Sequence, residues 1–199
     1  MTEESLLLPT DNYLKAGIHI GTKFKTKYME KFIYKTRPDG LSVLNLQEID
    51  KRIGIAAKFL ANYEPEEIMI VSRREGSFKA LKKMKELLGL KAFAGRYPPG
   101  ILANPELENF IEAKVILASD PWADKSAVND AFRAGITIIG CCDTNNQTNR
   151  LDLVIPCNNK GKKSLGLLFY LLTREYMVHK GLIKNAKDFQ AKIEDFVEE

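Results

Sequence analysis

Short, continuously apolar runs alternate with helical patterns through the middle of this chain, and that alternation limits the possible folds more than any other feature. The runs are residues 68–72, 92–94, 115–118, 136–139 and 151–155. Strands that are apolar on both faces are typical of a parallel sheet buried between helices. The alternation therefore predicts an α/β fold, in which a mostly parallel sheet carries helices on both faces.

The unit at residues 143–175 predicts the most deeply buried helix. Its strand, 151–155, is stopped by Pro156, and a helix is expected from near Gly161 with Asn158 or Asn159 as N-cap. The apolar residues of that helix recur at helical spacing but form a stripe too wide for a single neighbour. They are Leu165, Leu167, Leu168, Phe169, Leu171, Leu172 and Tyr176. We predict that this helix lies at the centre of the domain.

A basic segment and a hairpin precede the sheet. The turn at residues 37–40 lies between two short apolar strands, 32–36 and 41–44, which predicts an antiparallel pair. Asn45 is a suitable N-cap for the helix that follows. The remaining predicted helices are 10–16, 46–63, 77–88 and 125–134, with a helical turn at 106–111 and a short helix at 188–197.

The composition is typical of a soluble globular protein, and a single domain is the simplest interpretation of the chain. The chain has 199 residues, a net charge of +4 and three cysteines, an odd number that suits a reducing compartment rather than a disulfide framework. No apolar run approaches the roughly 20 residues of a membrane span. The acidic start does not resemble a signal peptide. We expect a cytoplasmic protein with a loose tail at 1–10, one α/β domain at 11–181 and a short acidic tail at 182–199.

A nucleotide-binding enzyme is the natural alternative for such a fold, because parallel sheets bind ligands at the carboxyl ends of their strands. The sequence has no G-x-G-x-x-G loop, and Leu167 stands where the Gly161–Gly166 spacing would need the lysine of a P-loop. Asp120, Asp124 and Asp143 could hold a metal, but acids at strand ends more often cap the next helix. We predict no catalytic residue, cofactor, metal or small-molecule substrate.

Basic residues in the loops point instead to an anionic polymer. Three lysines alternate with Phe24 and Tyr28 in one loop, a pattern suited to phosphates with base stacking nearby. Three more crowd the start of the central helix, where the macrodipole is already positive, and an anion would compensate them. The alternative there is a solvated basic cap. The candidate RNA-binding residues are Lys23, Lys25, Lys27, Arg37, Arg73, Arg74, Arg96, Lys160, Lys162 and Lys163.

Five long segments also carry a family resemblance. They are AGIHIGTK from Ala16, RPDGLSVLNL from Arg37, FAGRYPPGILANP from Phe93, ASDPWADKSAVNDA from Ala118 and IPCNNKGKKSLGLLFYLLTRE from Ile155. With these segments, which span residues 11–181 in unbroken order, the chain resembles the family of the universal second protein of the small ribosomal subunit, in its archaeal form. That family is also similar to the eukaryotic laminin-receptor-like protein SA.

The resemblance implies a flavodoxin-like, or Rossmann-like, domain without enzymatic activity. It further implies that the domain binds small-subunit ribosomal RNA and neighbouring ribosomal proteins where the head of the subunit meets its body, and so supports assembly and translation. Bacterial relatives carry a long helical hairpin, whereas this chain runs directly from Pro105 through Phe110 to the next strand. Partnerships specific to the bacterial protein are therefore not expected.

Overall fold

The computed structural model describes residues 6–198 and contains a five-stranded parallel sheet and a separate hairpin. The hairpin strands are β1, Ile33–Thr36, and β2, Ser42–Leu44; the sheet strands are β3, Ile68–Ser72, β4, Lys91–Ala94, β5, Val115–Ala118, β6, Thr137–Cys142, and β7, Leu153–Pro156. The sheet order is β4-β3-β5-β6-β7. This is the flavodoxin-like order, with its switch point between β3 and β5. The predicted fold class is confirmed.

Helices and one long loop cover the two faces of the sheet. The helices are α1, Thr10–Ala16, α2, Leu46–Leu60, α3, Phe78–Leu88, α4, Lys125–Arg133, and α5, Lys162–His179. Ile68 and Ile70 of β3 pack in the core under α2, α3 and α5. Met69 and Val71 face the other way, into a smaller core formed with α4 and the loop 95–114. Alternate residues of one strand thus serve two cores, which explains the continuous apolar runs.

Helix α5 is the central helix, as its broad apolar stripe predicted. Every residue from Ser164 to Tyr176 except Tyr170 is buried, and the helix packs against α1, α2 and α3. Even the adjacent charged pair on this helix is enclosed: Arg174 Nε donates to Glu175 Oε1 at 2.9 Å, and the Arg174 guanidinium also donates to the Leu7 carbonyl at 3.0 Å. None of the helices in residues 6–198 is long and apolar enough to cross a membrane.

Two local predictions are wrong because side chains satisfy the backbone in another way. The N-cap of α5 is Gly161, since Asn158 Oδ1 accepts from the amides of Lys160 and Gly161, before the helix begins. Residues 106–111 form turns rather than a helical turn. There, Asn104 Oδ1 accepts from the Glu106 amide at 3.1 Å, so the chain follows a side-chain-capped turn.

The carboxyl-terminal segment packs against the domain. In place of the helix expected at 188–197 there are two short 3-10 helices, Ala186–Asp188 and Ile193–Phe196. Phe196 is fully buried. Glu198 Oε2 accepts from the Lys79 amide in the first turn of α3 at 2.9 Å. At the other end, residues 6–8 pack against the core, and residues 1–5 of the predicted tail lie outside the described residues.

Candidate nucleic-acid interface

The basic loop of residues 21–28 is held against the carboxyl end of β6. The Thr26 amide donates to the Thr144 carbonyl at 2.9 Å. The Thr144 hydroxyl accepts from the Thr22 amide and donates to the Phe24 carbonyl, each at 2.9 Å. Four backbone groups that would otherwise need water are paired in this way, so the loop is fixed to the edge formed by the carboxyl ends of the strands. We call this the carboxyl edge.

The loop displays its charged and aromatic side chains outward from that anchor. Lys23, Lys25 and Lys27 are all exposed. Phe24 is 81% exposed, an unusual position for a large apolar ring. One face of the Tyr28 ring is occupied by Lys31 Nζ, 3.7 Å from the ring centroid. Lys25 Nζ is 3.3 Å from Glu30 Oε1 in an exposed ion pair. The loop therefore offers three exposed cations, one of them ion-paired, and one uncovered ring to a partner.

Close approach at Gly21 makes the anchoring possible. A Cβ at this position would lie 2.5 Å from Thr144 Cγ2 and 2.9 Å from the Ser42 carbonyl oxygen. The Gly21 amide donates to that same carbonyl at 2.9 Å. Glycine at this position thus lets the loop, the hairpin and the end of β6 meet.

At the switch point of the sheet, buried acids are paired internally. Arg74 Nε donates to Asp120 Oδ2 at 2.9 Å, and Asp120 Oδ1 accepts from the Trp122 amide and from Asn146 Nδ2. Arg74 is only 38% exposed and Asp120 2%. Of the predicted cations, Arg74 therefore has a structural partner already.

Asp124 lies beneath the same switch point. Its carboxylate accepts from the amides of Arg73, at 2.9 Å, and Asp120, at 3.2 Å. Burial raises the pKa of Asp124 to about 6. Two buried carboxylates at the crevice where flavodoxin-like folds take their ligands are unsuited to a phosphate. Residues 6–198 contain no cluster of three or more acids, histidines and cysteines that could hold a metal.

Some of the other predicted cations lie along the carboxyl edge. Arg73 and Arg96 are exposed and line one small groove beside Gly95 and Pro99. Lys160 also lies at this edge, but its Nζ is 3.2 Å from the buried Asp143 carboxylate. Lys160 thus resembles Arg74, because each offsets the charge of a buried acid.

The lysines of the first turn of α5 do not form one cluster. The Lys162 stem packs against Gly76 in the loop after β3, where an added Cβ would lie 2.9 Å from Lys162 Cγ. Lys163 lines a different groove, shared with Lys15, Lys79 and Glu194. The predicted anion site at this helix terminus is therefore divided between two surfaces.

Arg37 is exposed in the hairpin turn, 3.9 Å from Asp39. The same turn approaches the basic loop, because an added Cβ on Gly40 would lie 3.8 Å from Lys23 Cγ. The structure thus brings the three loop lysines, Arg73, Arg96 and Lys162 to the carboxyl edge, with Arg37 beside it.

Three further residues of this edge are not among the residues predicted from the sequence. Thr144 anchors the basic loop, Trp122 is exposed beside the switch point, and Arg150 adopts a left-handed backbone conformation, with φ 70°. The sequence gives a signal for only one of them: Trp122 is a lone tryptophan within a polar strand-end loop. The roles of Thr144 and Arg150 depend on contacts between distant segments.

Comparisons with known proteins agree on one family. A family model described as Ribosomal protein S2 matches residues 111–177. Proteins named small ribosomal subunit protein uS2 are similar along nearly the whole chain. The relative from Nanoarchaeum equitans is 46% identical over 96% of this chain and 94% of its own. The relative from Picrophilus torridus is 46% identical over 98% of both chains. That from Methanococcus maripaludis strain C6 is 48% identical over 100% of this chain and 89% of its own.

Proposed function

The chain belongs to the ribosomal protein S2 family, in its archaeal form, and from that premise we propose that it is a structural constituent of the small ribosomal subunit that binds ribosomal RNA through its carboxyl edge. This family is not a family of enzymes, and the internally paired acids at the switch point agree with that. Its place of action is the cytoplasm, within the subunit.

The RNA-binding part of the proposal rests on the way the basic loop is held. The loop of Lys23, Lys25 and Lys27 is fixed to the end of β6 by Thr144 while its cations and Phe24 remain exposed. Lysines on a loop contact phosphates without reading sequence, and a fixed loop loses less conformational entropy on binding than a mobile one. An exposed ring between cations adds a surface for base stacking.

Neighbouring small-subunit proteins are the second class of partner, at the junction of head and body. Large apolar side chains are also exposed outside the basic loop, including Tyr34 on the hairpin and Leu182 after α5. Such residues suit protein contacts better than phosphate contacts.

Sedimentation of tagged protein with small subunits tests the proposal. The variant carries Lys23→Ala, Lys25→Ala and Lys27→Ala. A matched control carries Lys58→Ala, Lys184→Ala and Lys187→Ala. All three lysines are exposed; Lys58 lies in the last turn of α2, and Lys184 and Lys187 follow α5. We expect wild type and control to sediment with the small subunit and the loop variant to be depleted. Equal incorporation of all three proteins would contradict the proposed role of the loop.

A second assay distinguishes the enzyme alternative. A nucleotide that binds only the native state adds about 2.7 kcal/mol of stability at 100 times its dissociation constant. We expect ATP, NAD and FMN to leave the melting temperature of the free protein unchanged. A rise of several degrees with any of them would favour a nucleotide-binding function.

A further inference from the structure

A groove beside the anchor of the basic loop is lined by the single tryptophan of the chain. It lies between the loop that leads into α4 and the loop that follows β6. Its lining residues are Pro121, Trp122, Lys125, Val128, Asn129, Asn145, Gln147, Asn149 and Arg150. We propose that this groove binds one unpaired RNA nucleotide, whose base stacks on Trp122. The inference rests on the proposed function and adds a site to it.

Trp122 is presented from a rigid turn. Its side chain is 70% exposed, while Pro121 before it is buried. Its amide donates to Asp120 Oδ1 at 3.0 Å, and Asp120 is held in turn by Arg74 and Asn146. The buried network fixes the backbone of Trp122 and leaves its ring uncovered, so a base can stack on the ring with little loss of backbone freedom.

The chemistry of the lining suits a nucleotide. It combines two cations, Lys125 and Arg150, with carboxamides from α4 and from the loop after β6, and contains no acid. The cations can hold a phosphate, and carboxamides can pair with the hydrogen-bonding edge of an unstacked base. The groove has a volume of about 430 Å³, within the roughly 300–1,000 Å³ of small-ligand sites.

Arg150, which lines the groove, has an energetically unfavourable backbone conformation. It is the one non-glycine residue with positive φ in the part of the chain that the structure describes. Its guanidinium lies 5.2 Å from the Phe132 ring centroid and donates to Asn129 Oδ1. A left-handed arginine is disfavoured unless its surroundings impose it, and such strain concentrates at ligand sites. The strained residue and the exposed ring line the same groove.

A protein segment is the competing occupant, since tryptophan and arginine are also common in protein interfaces. Two features favour RNA. The lining has positive charge without negative charge, and the groove adjoins the anchor of the basic loop: Lys160 Nζ contacts Asn145 Oδ1 at 3.4 Å, and Asn146 accepts from the Thr26 hydroxyl through its carbonyl. A strand of RNA that follows the loop lysines can therefore reach the groove.

Tryptophan emission tests the proposal directly, because Trp122 is the only tryptophan. The full chain is titrated with a short unstructured single-stranded RNA, with a duplex of the same length and with inorganic polyphosphate. We expect quenching by the single strand alone. Trp122→Ala should weaken binding of labelled single strand by about 5- to 150-fold, the range of base–aromatic stacking. Leu182→Ala, which removes an exposed large apolar side chain after α5, should not.

The outcomes separate this inference from the proposed function. If the loop variant loses RNA binding but Trp122 emission never responds to single strands, the proposed function stands and the groove proposal is wrong. Equal quenching by polyphosphate would show an anion effect without base stacking, which also overturns it. If the loop variant retains RNA binding, the proposed function is contradicted, whatever the Trp122 emission shows.

The assembled subunit distinguishes the two occupants. A benzophenone amino acid replaces Trp122, and the protein is incorporated into small subunits and irradiated. A cross-link to an unpaired nucleotide of ribosomal RNA is the expected result. A cross-link to a ribosomal protein, or none at all, would overturn the proposal.

Discussion

The hydroxyl of Thr144 donates a hydrogen bond to the carbonyl of Phe24, 2.9 Å away and 120 positions earlier in the chain. This contact joins the basic loop to the end of β6, so the candidate RNA-binding lysines depend on the sheet for their position. Because the loop belongs to neither the hairpin nor a helix, its fixed position comes from a few hydrogen bonds and one close backbone approach.

Gly21→Ala should disrupt that anchor. Its Cβ would lie 2.9 Å from the Ser42 carbonyl oxygen, a backbone atom that cannot move cheaply. We expect a loss of about 1–3 kcal/mol in the free energy of unfolding, as for other overpacked sites. Gly54→Ala is the control, since it lies inside α2 with nothing within 4 Å, and it should gain about 0.5–1 kcal/mol. Denaturant unfolding measures both, and equal values would contradict the close approach.

The sheet and its central helix were predictable because their signals are local. Continuous apolar runs predicted all five strands of the sheet, and the apolar residues predicted for the central helix, from Leu165 to Tyr176, are all buried in α5. Helix caps were less predictable. Asn45 caps α2 as expected, whereas Asn158 bonds upstream of α5. An asparagine can form either arrangement, and the surrounding backbone decides between them.

Arg73 and Arg74 should differ although they are neighbours with the same charge. Arg74→Ala would leave the buried Asp120 carboxylate without its cation. We expect a loss of about 1–3 kcal/mol in the free energy of unfolding, less than for a fully buried pair because Arg74 is partly exposed.

Arg73→Ala should cost less than about 0.5 kcal/mol, because the side chain is exposed, and should weaken RNA binding instead. Thermal unfolding and a filter-binding assay on both variants measure the difference. Equal destabilisation by the two substitutions would show that the ion pair with Asp120 is not what holds Arg74.

The stability of the fold should depend on pH through Asp124. Burial raises its pKa from 3.8 to about 6, so the folded state binds more protons than the unfolded state between these values. The contribution of Asp124 to the free energy of unfolding should therefore fall as pH rises from about 4 to 6, by up to about 1.4 kcal/mol per pH unit, and then level off.

Asp124→Asn should remove this contribution from the slope of the free energy of unfolding against pH. Burial raises the pKa of Asp50, which contributes with the same sign, and lowers the pKa of His19, which contributes with the opposite sign. Both contributions remain in the variant, so the difference between the two slopes reports Asp124. Chemical denaturation across the window measures the slope. A variant whose slope equals that of the wild type would show that Asp124 is not the titrating group.

Gly166→Ala should release the carboxyl-terminal segment. The added Cβ would lie 2.7 Å from Val197 Cγ2 and 2.9 Å from the Phe196 carbonyl oxygen. Alanine favours the helix, but the segment must move away to accommodate it. We expect limited proteolysis to cut the variant rapidly after α5, as in Phe196→Ala, while the wild type resists. A resistant Gly166→Ala would show that the segment adapts without leaving its site.

The candidate interface could be predicted only in part. Alternating lysines and aromatic residues marked the basic loop from its own sequence. The charge alone could not show that Arg74 and Lys160 are paired with buried acids, because Asp120 and Asp143 come from other strand ends. Likewise, Lys162 and Lys163 are adjacent in sequence but belong to different surfaces, since neighbours on a helix point about 100° apart.

The salt dependence of RNA binding shows whether the basic loop contacts RNA. The affinity of the wild-type protein for a small-subunit ribosomal RNA fragment is measured at several salt concentrations. It is compared with the Lys23, Lys25 and Lys27 alanine variant and with the control variant at Lys58, Lys184 and Lys187. Each phosphate contact contributes about 0.7–0.9 to the slope of log affinity against log salt. We predict that the loop variant loses about 2 from the magnitude of that slope while the control keeps it. An unchanged slope in the loop variant would contradict RNA binding by the basic loop, because the loop would then face solvent or protein rather than RNA.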